Sequence, residues 1–163
     1  MEFHLAQVNI AKMLAPLESP LMAEFVANLE KINSLADHAD GFVWRLKEEG
    51  SDATSINIFG DDRLLVNMSV WRNMDALARF VYQPGHVEVM KRRREWFERI
   101  AEMHMACWYV PEGHLPTVPE AEERLLYFRT HGETPFSFGF RKRFTFEEAA
   151  QYTPIPRQGD GNF

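Results

Sequence analysis

The segment "RLLVNMSVW" (Arg63–Trp71) constrains this chain more than any other, because its two alternating sets of side chains have different chemistry. Successive side chains of a strand point to opposite faces. Leu64, Val66, Met68 and Val70 form one purely apolar row. Leu65, Asn67, Ser69 and Trp71 form a second row that mixes amide, hydroxyl and aromatic groups. A solvated face would more often carry Lys, Glu or Thr, and a plain core face would not carry Asn and Ser together. Such a mixture suits a ligand pocket. It also suits a subunit interface that tolerates buried amides, and both hold if two copies pair face to face around a cavity. The segment Phe3–Ile10 repeats the pattern, with Leu5, Gln7 and Asn9 alternating with Ala6, Val8 and Ile10.

The segments around these two strands fix a topology. Apolar residues at 21, 22, 25, 29, 32 and 36 give a helical stripe over Leu21–Ala39, and Gly41 supplies the stop. "FVWRLK" (Phe42–Lys47) reads as a strand, Glu48–Ser55 as a loop and Ile56–Phe59 as a short extended segment. Asn73 caps a helix over Met74–Tyr82. Pro84-Gly85 breaks the chain before a helix from His86 to about Met103, and His104–Val110 is the next strand. Strand, helix, strand, strand, helix, strand is the split β-α-β unit. The expected fold is α+β: a ferredoxin-like protomer with an antiparallel sheet, helices on one face and the polar-mixed face bare. Residues 1–110 form this protomer. Residues 111–150 add a helix, with Thr117 and Glu120 as a capping box and Gly132 as its end, and an arm packed on the same domain. Residues 151–163 form a flexible tail.

Composition narrows the function. Apolar residues make up 45% of 163, enough for one core. Acidic residues outnumber basic ones 24 to 18, for a net charge of −6. Nucleic-acid partners are therefore excluded, since phosphate binding needs a basic face. No apolar run reaches the roughly 20 residues of a membrane span. The N-terminal "MEFHLAQVNIAKM" lacks the pattern of an export signal, and the lone Cys107 fits a reducing compartment. A cytoplasmic protein is expected. No histidine pair has zinc spacing, and neither a nucleophile elbow nor a phosphate loop is present. Cys107 reads as core.

The run "KRRR" (Lys91–Arg94) looks basic but divides by angle. At roughly 100° per residue, His86, Met90, Arg93, Phe97 and Ile100 share an inward arc, flanked by Val89 and Trp96. Lys91 and Arg92 fall among glutamates on the outer face, and Arg94 lies at the border. An inward guanidinium needs a partner. That partner is either an internal carboxylate, such as Asp37, Asp40 or Glu102, or an anionic or carbonyl-bearing ligand. His86, at a helix start, is either a core histidine bonded to a carbonyl or a neutral imidazole available as base or donor.

"HLAQVNIA", "NSLADHADGFVWRL", "LLVNMSVW", "RFVYQPGHVEVMKRRREWF", "WYVPEGHLPTVPEAEERL" and "PFSFGF" together resemble the signature blocks of a bacterial domain-of-unknown-function family. That family is placed with the dimeric α+β barrel superfamily of antibiotic-biosynthesis monooxygenases. The resemblance spans about residues 3–146. It implies a homodimer and a small-molecule pocket between sheet and helix. The pocket residues expected are Gln7, Asn9, Asn67, Ser69 and Trp71 from the sheet, with Phe80 and Met90 beside them and Trp44, Trp71 or Trp108 stacking on the substrate. His86 is the expected base and Arg93 the expected oxyanion holder. Three functions follow from it: a cofactor-independent, monooxygenase-like enzyme on an aromatic or polyketide-like substrate, a non-catalytic binding or sensing module, or a haem protein with His86 as axial ligand. Against the superfamily's haem-degrading branch, Phe80 replaces a Trp, and Met90 lies nearer than His86 to the ligating position. Haem degradation is set aside and haem binding stays open.

Overall fold

The computed structural model describes residues 2–47 and 57–157. The loop expected over Glu48–Ser55, Ile56 of the next segment and the end of the tail lie outside them. An antiparallel sheet is built on β1 (Phe3–Met13), which pairs on one edge with β3 (Leu64–Trp71). β2 (Phe42–Arg45) extends the sheet beyond β3. The other edge of β1 pairs with β5 (Met105–Pro111) and, at its C-terminal end, with the two-residue β4 (Phe97–Glu98). Strand order β2-β3-β1-β5 is the ferredoxin-like order expected from the split unit.

Local signals act as the sequence indicates. The Asn73 side chain accepts from the Ala76 amide at 2.9 Å and starts α2 (Met74–Val81). Gly41 has φ +85°, and a Cβ there would lie 2.5 Å from the Ala76 Cβ. No other residue gives both that backbone turn and that close approach of the segment after α1 (Ala23–Asp37) to α2. Pro84 sits at the first position of α3 (Pro84–Lys91), where its missing N–H goes unneeded. The Thr117 hydroxyl accepts from the Glu120 amide to start α4 (Val118–His131), which ends at Gly132. Glu120 does not complete a capping box. Its carboxylate accepts instead from Trp108 Nε1 at 2.8 Å and meets His114 Nε2 at 2.7 Å. The complete box belongs to Thr145 and Glu148 at α5 (Phe146–Gln151). Along the outer edge of β5, the Phe136–Phe140 arm makes one bridge, Cys107 with Phe138. Among the described residues no helix is long and apolar enough to cross a membrane.

Two expectations need correction. The first concerns the faces of the sheet. α1, α2 and α3 cover the polar-mixed row, not the apolar one. Leu5, Trp71 and Cys107 of that row pack against Ala36, Leu77 and Phe80. The apolar row of Ala6, Val8, Met68 and Val70 packs against Ala121, Leu125 and Phe128 of α4. Neither face of the central strands is bare. The more apolar face takes the closer cover, since fully burying each such side chain contributes about 1.5–3 kcal/mol.

The second correction concerns the helix expected from His86 to Met103. It ends at Lys91 and gives way to a 3-10 turn at Arg93–Glu95 and then β4. β1 runs past the start of β5, so its last residues need another strand partner. Lys12 and Met13 pair with Glu98 and Phe97, and the Leu14 amide donates to the Trp96 carbonyl at 2.8 Å. Trp96 is 2% exposed and packs with Met13, Met22 and Phe25. Arg92 bonds Glu24 and Glu95, so the solvated flank expected of it is seen.

Candidate functional site

A cavity of about 680 Å³ lies between the polar-mixed row and the three helices. Its floor follows from strand register. Gln7 stands opposite Ser69 and Asn9 opposite Asn67, so four short polar side chains meet across the β1–β3 ladder. Gln7 Nε2 donates to Ser69 Oγ at 2.7 Å and to Asn67 Oδ1 at 2.9 Å. Trp71 Nε1 donates to the same Ser69 oxygen at 2.8 Å, and Asn9 Nδ2 donates to Gln7 Oε1 at 3.3 Å. Ser69 Oγ thus accepts twice, which leaves its O–H as a donor to spare. Asn67 accepts twice through Oδ1, and its Nδ2 donates to no described residue. The floor is a fixed strip with hydrogen-bond donors in excess.

The walls are apolar. Phe25, Leu29 and Ile32 of α1, Phe80 of α2, and Val89 and Met90 of α3 line them. His86 reaches this space from the first turn of α3, with the Phe80 ring edge-on at 5.2 Å. Its Nδ1 is buried and has no hydrogen-bond partner among the described residues. Burial lowers its pKa, and the Val81 backbone offsets this in part. The imidazole is therefore neutral near pH 7.

Arg93 lines the same cavity. The carboxylates that could have paired with it are taken: Asp37 by Arg45 at 2.8 Å, Asp40 by Arg72 and Arg79, and Glu102 by Arg129 at 3.0 Å. Among the described residues Arg93 has no ion-pair partner.

Of the residues expected at the site, Gln7, Asn9, Asn67, Ser69, Trp71, Phe80, His86, Met90 and Arg93 line the cavity. Trp44 and Trp108 do not. Trp44 pairs with Val70 and Trp108 with Ala6, so both belong to the apolar row on the α4 face. Trp108 is fully buried there with its N–H on Glu120. Sequence reasoning missed the α1 wall, whose periodic stripe was the available signal, and also His104 and Phe140 at the β5 edge. Cys107 is fully buried and its thiol is pushed up to about 12, so it stays protonated core. Among the described residues no group of His, Cys, Asp and Glu converges as a metal site.

The neutral His86 has a stability consequence. Its native pKa lies below the ordinary value of about 6.5. The unfolded chain therefore binds a proton first as pH falls. Stability is full above pH about 6.5 and declines below it toward the lowered native value. Urea midpoints at pH 7.5 and 5.5 should differ more for the native chain than for His86→Phe. Equal differences in the two proteins would show that His86 is not held neutral.

A family model described as a domain of unknown function (DUF3291) matches residues 4–154. No curated protein matches the chain. Among solved structures, it is similar to SnoaB, a cofactor-independent oxygenase from Streptomyces nogalater, at 20% identity, covering 72% of this chain and 98% of that one, with TM-score 0.44. It is also similar to Rv0793 from Mycobacterium tuberculosis, at 16% identity over 70% and 99% of the two chains, TM-score 0.47. A third is a candidate antibiotic biosynthesis monooxygenase from Chloroflexus aurantiacus, at 10% identity over 71% and 98%, TM-score 0.42.

Proposed function

The chain belongs to the family described as a domain of unknown function (DUF3291), and we propose that it binds a small aromatic or polyketide-like molecule and oxygenates it without a cofactor. One observation supports this reading above others. The cavity wall holds two polar groups, His86 Nδ1 and the Arg93 guanidinium, that no described residue satisfies. They border a space whose floor has spare donors at Ser69 and Asn67. A ligand with an acidic C–H or O–H and an adjacent carbonyl would meet all of these needs.

The chemistry starts with proton transfer. Neutral His86 takes the proton from the substrate's acidic carbon. The charge left behind gathers on the substrate oxygen, which Arg93, the Ser69 hydroxyl and the Asn67 amide hold. This electron-rich anion reacts with molecular oxygen. For a methylene beside an aromatic ketone, one oxygen atom becomes the new carbonyl and the other leaves as water. The substrate supplies all the electrons, so R₂CH₂ and O₂ give R₂CO and H₂O. The apolar walls keep bulk water from the anion.

A haem would take His86 as its axial imidazole, with the Val81 backbone beside the ring in place for the hydrogen bond that a ligating histidine keeps on its second nitrogen. A Soret band on haem addition would favour that reading over oxygenation without a cofactor. A homodimer belongs to the oxygenase reading, because Trp44, Leu46, Leu64 and Val66 stay only partly buried on the α4 face. Sedimentation velocity should give twice the 19.0 kDa chain mass, and a monomer would remove the dimer from the proposal.

Dithranol, an anthrone with an acidic methylene, tests the activity. Oxygen uptake should match dithranol consumed one to one and exceed the uncatalysed rate. Tight binding without enhanced uptake would favour a non-catalytic binding module instead.

A further inference from the structure

We propose that the ligand carries a dianionic head group, which seats in a second, basic cleft opening from the mouth of the cavity. The inference rests on the small-molecule reading of the cavity and adds the chemical class of what enters it. A cleft of about 270 Å³ is formed where the 3-10 turn, β4 and the approach to β5 meet. Arg93, Phe97 and His104 line both it and the large cavity, so the two spaces share a wall. Arg94 and Arg99 complete its basic lining.

The charge pattern marks this cleft out. The chain carries an excess of carboxylates, and seven of its arginines pair with them: Arg45 with Asp37, Arg63 with Glu98, Arg72 and Arg79 with Asp40, Arg92 with Glu24 and Glu95, Arg129 with Glu102, and Arg143 with Asp75. Arg124, Arg141 and Arg157, which stand apart from the cleft, have no such pair among the described residues. Arg93, Arg94 and Arg99 have no carboxylate partner among the described residues. The one carboxylate in the cleft, Glu98, is engaged by Arg63 at 3.7 Å. Three guanidiniums without a carboxylate partner among the described residues thus line one cleft in a protein of net charge −6. Their planar forks suit phosphate and carboxylate oxygens. A single negative charge would leave most of this field unneutralised, whereas a dianion matches it. The volume exceeds several-fold the roughly 30 Å³ share of one water, so it admits a phosphate or a pair of carboxylates. The ring system would then lie over the amide strip, with its charged end past Arg93.

The arrangement comes from the same break that ends α3. A continued helix would have spread residues 93, 94 and 99 around its axis. The turn and the two-residue strand gather them on one side of the mouth.

Calorimetric titrations at low ionic strength with 1-naphthol, 1-naphthyl phosphate and naphthalene-1,8-dicarboxylate test the proposal. The phosphate should bind at least about tenfold tighter than 1-naphthol. The exposed pair Arg94→Gln/Arg99→Gln should lose that advantage while binding 1-naphthol as before. Equal tightening by phosphate and dicarboxylate would support a cleft that reads charge. Tightening by the phosphate alone would support one that reads its tetrahedral oxygens. If 1-naphthol binds but the phosphate is no tighter, or if the double variant keeps the advantage, the basic cleft is not a head-group site and the cavity reading stands alone. If none of the three binds, both readings fall.

Discussion

His86→Gln is expected to lower turnover of dithranol by about 10²–10⁴-fold, the range that a positioned general base supplies. Glutamine keeps a hydrogen-bonding group of similar reach but cannot take a proton near neutral pH. The side chain is half-enclosed against Phe80, so the cavity shape should change little. Affinity for 1-naphthol, which needs no proton transfer, should therefore stay within about threefold, or ~0.7 kcal/mol. The native rate should fall on an acid limb displaced below the ordinary imidazole value of about 6.5, because burial lowers the folded pKa, and the variant should show no such limb. A rate that survives the substitution would take the base from His86. Lost affinity with no rate effect would make His86 a contact only. The kinetic pattern thus separates three roles that the residue's position alone would allow.

Trp96→Ala is expected to destabilise the fold by about 3–5 kcal/mol, read as a shift in the urea midpoint at constant slope. Trp96 is the anchor of the segment that replaces the second half of the expected helix. Its ring is buried among Met13, Met22 and Phe25, with the Phe25 ring centroid at 5.5 Å. The Arg92 guanidinium stacks over it at 4.8 Å, and its carbonyl receives the Leu14 amide. Removing the ring leaves a cavity beneath the turn that sets Arg93 at the mouth. The variant should also bind 1-naphthyl phosphate more weakly than its remaining stability explains. A cost below about 1 kcal/mol would mean that the turn and β4 are held by backbone pairing alone.

The sheet's polar strip was legible because strand alternation needs no knowledge of neighbours. Once Arg63–Trp71 and Phe3–Ile10 are strands, Gln7, Asn9, Asn67 and Ser69 must each share a face with their own strand mates. That the two strips coincide depended only on antiparallel pairing in the register Gln7 to Ser69. The Asn73 and Thr117 caps and the Gly41 and Gly132 ends were legible for a similar reason, since each is a local rule about one backbone position. Trp44 and Trp108 were not, because their facing depends on partners. Trp108 follows Cys107, and only the pairing of Cys107 with Gln7 shows that Trp108 points away from the strip. The cover of each face was unreadable too. α4 was treated as an addition to a finished unit, yet it supplies Leu125 and Phe128 to the most apolar row in the chain. The end of α3 at Lys91 escaped because a helical wheel assumes the helix continues. What stops it is a tertiary demand, the unpaired end of β1, met by Phe97 and Glu98. Arg93 still reached the cavity, but through a turn, not through the angle that predicted it.

A crystal structure of the protein grown with 1-naphthol tests the central claim most directly. The ring should lie between the Gln7–Asn67–Ser69 strip and the Phe80–Met90 wall, with its oxygen within hydrogen-bonding distance of His86 or Arg93. A naphthol bound elsewhere, or a cavity closed by inward rotation of Phe25, Leu29 and Met90 with no ligand inside, would contradict it.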